Sequence, residues 1–240
     1  MSAGKVYFVG GGPGAPDLLT LRGARAIAAA DVVIWGRSLL MEEVVTEHAP
    51  EHAELLPWPP ATMAQILATY DRAKEEGLVV ARLHAGDPTI YGKVHREIQE
   101  VSARGLPYEL VPGVSALGAA AAALGRELTA PGAPRSLILA SHGERDAPPP
   151  GQRVRELARH GATMALFMSA KRPYELADEL LQGGYGPDTP CAVVHRASWP
   201  EEAVLTCRLD ELGDRLSGRE QTLILVGPAL TESAPLHGPG

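Results

Sequence analysis

Short runs rich in Val, Ile and Leu recur along this chain, each closed by a glycine or proline turn and followed by a longer stretch with helical patterning. This alternation constrains the fold more than any other feature. Parallel strands need long crossover connections, usually helical, so the pattern predicts an α/β protein built on parallel sheet. Strands are expected at 6–9, 32–35, 53–56, 78–84 and 108–111, with helices at 19–29, 62–76 and 92–104. These five strands complete one open sheet with helices against it. After Val111-Pro112-Gly113 the character changes, and an alanine-rich stretch at 116–124 opens a second set of strands at 136–140, 163–167, 191–196, 203–207 and 222–226. Alanine has the best intrinsic helix propensity, so 116–124 reads as a closely packed helix. Two strands flank 197–202 closely enough to form a hairpin, which predicts a mixed second sheet. The expectation is two α/β domains, 1–113 and 114–230, followed by a Pro- and Gly-rich tail at 231–240.

The function classes narrow with charge and cysteine usage. Against 22 Lys and Arg stand 29 Asp and Glu, a formal charge of −7, so no broad basic surface collects phosphate backbones and a nucleic-acid partner is not expected. No apolar run approaches the roughly 18 residues of a membrane span, and the first ten residues do not read as a signal peptide. A cytoplasmic protein is expected. The two cysteines, Cys191 and Cys207, sit in apolar stretches and read as core thiols. His48 and His52 are four apart, but Pro50 between them spoils a helical metal face, and no metal site is expected. Residues 143–151, with Pro148-Pro149-Pro150, read as an exposed loop.

Three glycine-bearing turns follow strands. The first, Gly10-Gly11-Gly12-Pro13-Gly14-Ala15-Pro16-Asp17, has the G-x-G-x-x-A spacing of a dinucleotide loop. Pro13 and Pro16 remove amide donors that would cradle a pyrophosphate, and the strand 32–35 ends in Trp35-Gly36 where a ribose-binding acid is needed. A nicotinamide cofactor is therefore disfavoured. The second turn runs from Ala85-Gly86-Asp87-Pro88 to Ile90-Tyr91-Gly92-Lys93, one residue too long for a P-loop and with Val94 in place of the magnesium-binding Ser or Thr. The third is Val111-Pro112-Gly113-Val114-Ser115-Ala116. Together they place a ligand along one rim of the sheet.

In this order and at these distances the turns resemble the tetrapyrrole methylase family. The resemblance rests on residues 6–23, Gly86-Asp87-Pro88, Pro112-Gly113-Val114-Ser115 and Val226-Gly227-Pro228, and spans about residues 5–230. Ile90-Tyr91-Gly92, the stretch 124–129 and the stretch 195–202 are similar to the branch that methylates C11 of precorrin-4. The resemblance implies two α/β domains with a ligand trough between them, S-adenosyl-L-methionine as cofactor, a tetrapyrrole substrate, and a homodimer. It carries the cofactor contacts to Pro13, Ala85, Gly86, Asp87, Ile90, Ser115, Ala116, Met168 and Ala197, largely through backbone groups. The sulfonium already activates the methyl group, so neither a nucleophile nor a metal is required of the protein. Asp87 and Tyr91 are the candidates for a direct part in catalysis. A precorrin brings several carboxylates to an acidic protein, so local cations must bind it. Arg37, Arg126, Lys171 and Arg196 are the leading candidates, with Arg135, Arg145 and Arg172 beside them. Methylation at another tetrapyrrole position, methylation of an RNA or protein, a nucleotide-binding oxidoreductase and a non-catalytic binding module stand as alternatives.

Overall fold

The computed structural model describes residues 4–131, 134–143, 148–216 and 221–231. Arg145 and the tail beyond Thr231 lie outside the described residues. The chain divides into two compact units, Met1–Ala116 and Leu117–Gly240.

The first unit carries β1 (Lys5–Gly10), α1 (Leu21–Ala28), β2 (Val32–Gly36), α2 (Glu43–Thr46), β3 (Glu54–Trp58), α3 (Met63–Glu76), β4 (Val79–His84), α4 (Val94–Ala103) and β5 (Tyr108–Val111). Its five strands form a sheet in the order β3-β2-β4-β1-β5, with every pairing parallel. Both faces are covered, as a parallel sheet requires. Val9, Val33, Trp35, Ala81 and Leu83 pack with Ile27 of α1 and with Val44 and Val45 of α2. The alternate residues Val6, Phe8, Ile34 and Val80 pack with Ile66 and Tyr70 of α3 and Val101 of α4. Burying each such side chain contributes roughly 1.5–3 kcal/mol, which fixes the strand register at both faces.

Helix boundaries follow local chemistry. Thr20 caps α1, its hydroxyl accepting from the Gly23 N–H at 3.0 Å, so the helix begins later than residue 19. Helix α3 opens with a Thr62/Gln65 capping box and stops at Gly77, which takes a left-handed φ of 77°. Helix α4 begins at Val94 and not at Gly92, because Tyr91 and Lys93 both adopt φ 55°. The third strand sits one to two residues later than its expected range of 53–56.

The second unit carries α5 (Ala116–Ala123), which starts on the last residue of the first, then β6 (Leu137–Ser141), α6 (Val154–Ala158), β7 (Thr163–Phe167), α7 (Pro173–Gln182), β8 (Pro190–His195), β9 (Ala203–Arg208), α8 (Leu212–Arg215) and β10 (Thr222–Val226). The order is β6-β7-β10-β8-β9. Only β6 and β7 run parallel; β10 is antiparallel to β7 and β8, and β8 and β9 form the expected hairpin. The sheet is thus mixed. One face packs on α6, α7 and α8, and the other meets the small residues Ala119 and Ala120 of α5. Cys191 and Cys207 are free thiols facing each other across the hairpin.

Candidate functional site

In the first sheet β4 and β1 are neighbours whose outgoing connections diverge. The chain leaves β1 toward β2 on one side and leaves β4 toward β5 on the other. Open α/β sheets bind ligands outside the carboxyl ends of the strands at such a point. The turn 10–17 follows β1, the turn 85–93 follows β4, and the turn 111–116 leaves β5, so all three sequence-derived turns rise from this rim.

The turns are joined backbone to backbone. The Gly86 N–H donates to the Gly12 carbonyl at 2.7 Å, the Gly12 N–H returns to the Gly86 carbonyl at 3.3 Å, and the Gly11 N–H donates to the His84 carbonyl at 2.8 Å. Residues 113 and 10 must be glycine for a steric reason. A Cβ on Gly113 would lie 2.2 Å from the Gly86 carbonyl oxygen, and one on Gly10 would lie 2.4 Å from the Gly113 nitrogen.

Asp87 closes the assembly. One carboxylate oxygen accepts the Gly113 N–H at 3.0 Å, and the other accepts the Thr89 N–H at 2.7 Å together with the Thr89 hydroxyl. Burial pushes this carboxyl up, but the Thr89 and Gly113 hydrogen bonds outweigh it and hold the group below the usual carboxylate value. The staple is therefore complete above the ordinary Asp value and is lost as pH falls through the depressed one. An oxygen pair committed to two turns acts first on loop geometry. Asp87→Ala frees both turns and is expected to weaken S-adenosylhomocysteine binding by about 1–3 kcal/mol by calorimetry. Asp87→Asn, which retains one carbonyl acceptor, should fall between the variant and the parent.

Backbone strain marks further candidates. Among the described residues, the non-glycine positions with positive φ are Tyr91, Lys93, Met168, Arg196, Ser198 and Gln221. Such conformations cost of order 1–3 kcal/mol each and gather at functional sites. Tyr91, Met168 and Arg196 are residues already singled out from the sequence. Tyr91 and Met168 are also exposed, at 39% each, whereas Ala197 is buried. In the first unit, Ala85 is exposed, and Pro13, Ile90, Ser115 and Ala116 are partly buried around the turns.

The basic candidates are scattered in their contacts. The Arg196 Nε donates to the Gln221 side chain at 2.7 Å, and the guanidinium lies 4.9 Å over the Trp199 ring and 3.3 Å from Glu201. Arg37 lies 3.7 Å from Glu42, and Arg172 is 3.3 Å from Glu175. Arg126 lines a cleft of about 940 Å³ within the second unit, where Thr206 and Arg208 also lie. Lys171 and Arg135 are exposed.

Sequence reasoning overlooked one buried cluster. The Arg82 guanidinium makes a two-pronged contact to Glu97, 2.8 Å to one oxygen and 3.0 Å to the other, and the Tyr70 hydroxyl donates to the same carboxylate at 2.8 Å. All three side chains are at least nine-tenths buried. The visible signal is an arginine in the middle of the apolar strand Val79–His84.

The first and third turns hold no Lys or Arg and the second, 85–93, holds Lys93 at its far end; Asp17 and Asp87 are the acidic residues, so the three together are net negative. Such a rim suits a ligand carrying positive charge. This agrees with a sulfonium cofactor and disagrees with a dinucleotide.

Known proteins agree with this geometry. Residues 5–213 match the family model of the Tetrapyrrole (Corrin/Porphyrin) Methylases. A precorrin-4 C(11)-methyltransferase of Mycobacterium tuberculosis is 40% identical over 230 residues, covering 94% of this chain and 91% of its own. A crystallised cobalt precorrin-4 methyltransferase superposes with TM-score 0.89 at 34% identity, covering 95% and 96% of the two chains. The uroporphyrin-III C-methyl transferase of Thermus thermophilus, solved with S-adenyl homocysteine, gives TM-score 0.79 at 31% identity and covers 95% and 99%. On its turns, its two sheets and these likenesses, the chain belongs to the tetrapyrrole methylase family.

Proposed function

We propose that this protein transfers a methyl group from S-adenosyl-L-methionine to C11 of precorrin-4 in corrin biosynthesis. The observation that carries the reading is the joining of the Gly10, Gly86 and Gly113 turns at the point where the strand connections diverge, on a chain that shares 40% identity with a precorrin-4 C(11)-methyltransferase.

Bound, S-adenosyl-L-methionine supplies a methyl group already activated on sulfonium sulfur. The chain's own residues have to hold and orient. In this reading Pro13, Ala85, Gly86, Asp87, Ile90, Ser115 and Ala116 present backbone groups to the cofactor, with Met168 and Ala197 contributing from the second unit. The three turns are net negative, Asp17 and Asp87 against Lys93, which favours a positive ligand, and Asp87 supplies the nearby negative charge. Arg37, Arg126, Lys171 and Arg196 bind the carboxylates of the macrocycle, which a net charge of −7 would otherwise repel. The protein works as a cytoplasmic homodimer.

A second reading, methylation of the cobalt-containing precorrin, is favoured by the TM-score of 0.89 to a cobalt precorrin-4 methyltransferase. One experiment separates the two. Purified protein is incubated with S-adenosyl-L-methionine carrying a carbon-13 methyl label and with either metal-free or cobalt-bearing precorrin-4, and carbon NMR follows the label. A new resonance coupled to ring C11 from the metal-free substrate supports the proposal, and the same resonance from the cobalt substrate alone supports the second reading. Label at another ring carbon keeps the family and overturns the position.

A further inference from the structure

The two cysteines of the chain stand directly opposite each other on the hairpin of β8 and β9. The Leu209 N–H donates to the Thr189 carbonyl at 2.9 Å, and the ladder alternates, so Cys191 and Cys207 form the next hydrogen-bonded pair along it. Opposed residues of that kind have Cα atoms about 5.5 Å apart, inside the roughly 4.4–6.8 Å that a disulfide spans. They also point to the same face, and Cys207 packs against the cluster that holds Cys191, Leu209 and Leu212.

The pair is reachable. Both cysteines line the cleft of about 940 Å³ in the second unit, Cys191 buried and Cys207 only partly so. This cleft is not the site described above. It takes in Pro190, where β8 begins, and Pro228, just after β10, whereas Met168 and Ala197 follow the far ends of β7 and β8. Strand directions put those at the opposite end of the sheet. The cleft carries charges of both signs, Arg126 and Arg208 with Asp188 and Glu211, and Arg208 lies 2.8 Å from Asp210. A small peptide disulfide such as glutathione disulfide brings ammonium and carboxylate groups that match such a lining.

We propose that Cys191 and Cys207 are a reversible dithiol–disulfide site that reacts with low-molecular-weight disulfides of the glutathione type, Cys207 attacking and Cys191 resolving. The Cys207 thiolate bonds to one sulfur of the external disulfide, whose S–S bond breaks, and the first thiolate leaves and takes up a proton. Cys191 then loses its proton, attacks the Cys207 sulfur and expels the second thiolate, which is protonated in turn. Two protein thiols give up two electrons, and the external disulfide takes them and departs as two thiols. Cys207 leads because it is the more accessible. The Cys191 thiol beside it also holds it below the ordinary thiol value, which raises its thiolate fraction. Cys191 is itself pushed up, by Cys207 first and by burial next, and keeps its proton until the mixed disulfide stands beside it. Opposed Cβ atoms in a hydrogen-bonded pair lie near 5.5 Å, against roughly 3.5–4.5 Å in a disulfide, so closure draws β9 inward. As the edge strand of its sheet, β9 can yield. A bond closed in this way is readily reduced, which leaves the free thiols as the resting form.

The test treats the reduced full-length protein with glutathione disulfide and reads intact mass and peptide maps. The expected product is a monomer that has lost two hydrogens, with Cys191 linked to Cys207, and dithiothreitol should restore the thiols. Cys191→Ser, folded by circular dichroism, should trap one glutathione on Cys207. Cys207→Ser should take glutathione on Cys191 about tenfold more slowly or less. One glutathione on each cysteine without a link, a link between two chains, or a native protein inert where the denatured chain reacts overturns the proposal. Faster capture at Cys191 than at Cys207 overturns the order of attack.

Discussion

Gly113→Ala is expected to lower methyl transfer by a hundredfold or more while the protein still folds. The added methyl group would sit 2.2 Å from the Gly86 carbonyl oxygen and 2.7 Å from the Gly10 Cα, and both obstacles are backbone. No rotamer change relieves such a contact, so the third turn must move away by the order of an ångström. That movement pulls the Gly113 N–H off the Asp87 carboxylate, where it now donates at 3.0 Å. Asp87 then keeps only Thr89, and the second turn loses its tie to the third. Overpacking of this kind costs about 1–3 kcal/mol, which a chain with a complete core in each unit should survive. Methyl transfer responds more steeply, because displacing groups that orient reactants by about 1 Å costs on the order of 10²-fold. The check is a circular-dichroism melt beside single-turnover rates. A rate within threefold of the parent would mean that the turn does not position the cofactor.

Much of this was legible in the sequence, for a physical reason. Strands such as Val32–Gly36 are buried on both faces, so they read as apolar runs, and the turn glycines Gly10, Gly92 and Gly113 stand where a Cβ would collide with backbone. The mixed second sheet was visible too, because β8 and β9 are too close in the chain for a crossover. The helices α2, α6, α7 and α8 were not foreseen: three are of five residues or fewer, and α7 begins on Pro173, where a proline can end an element as easily as start one. In the site, the motif gave Asp87 but not its partners. Gly113 binds it because β4 and β5 flank β1, and pairing order is not written in local pattern, whereas Thr89 binds it within the turn, two residues on. The left-handed angles at Tyr91, Lys93, Met168 and Arg196 escaped for a similar reason, since none is the glycine that usually announces them.

Glu97→Ala should be the most destabilising single substitution in the first unit. It leaves Arg82, only 3% exposed, with its charge buried and unpaired, and it removes the acceptor of the Tyr70 hydroxyl. Breaking one side of a buried pair costs about 3–5 kcal/mol, which for a chain of this length lowers the melting temperature by roughly 6–20 °C. Cofactor affinity should fall as well, because Glu97 anchors the end of the turn that Tyr91-Gly92-Lys93 closes. The joint replacement Arg82→Met with Glu97→Leu separates the two effects. Apolar side chains of similar volume avoid the desolvation cost of the pair, so stability should return to within about 1 kcal/mol of the parent or exceed it. Cofactor affinity should return only in part, since apolar packing sets the start of α4 less sharply than two hydrogen bonds in fixed geometry do. Acid should mimic the single substitution. Burial pushes the Glu97 carboxyl up, but the Arg82 hydrogen bonds and charge hold it below the ordinary value. The clamp therefore contributes fully above the ordinary Glu value and fails as pH falls through the depressed one, a fall that the joint replacement should flatten in a pH series of melts.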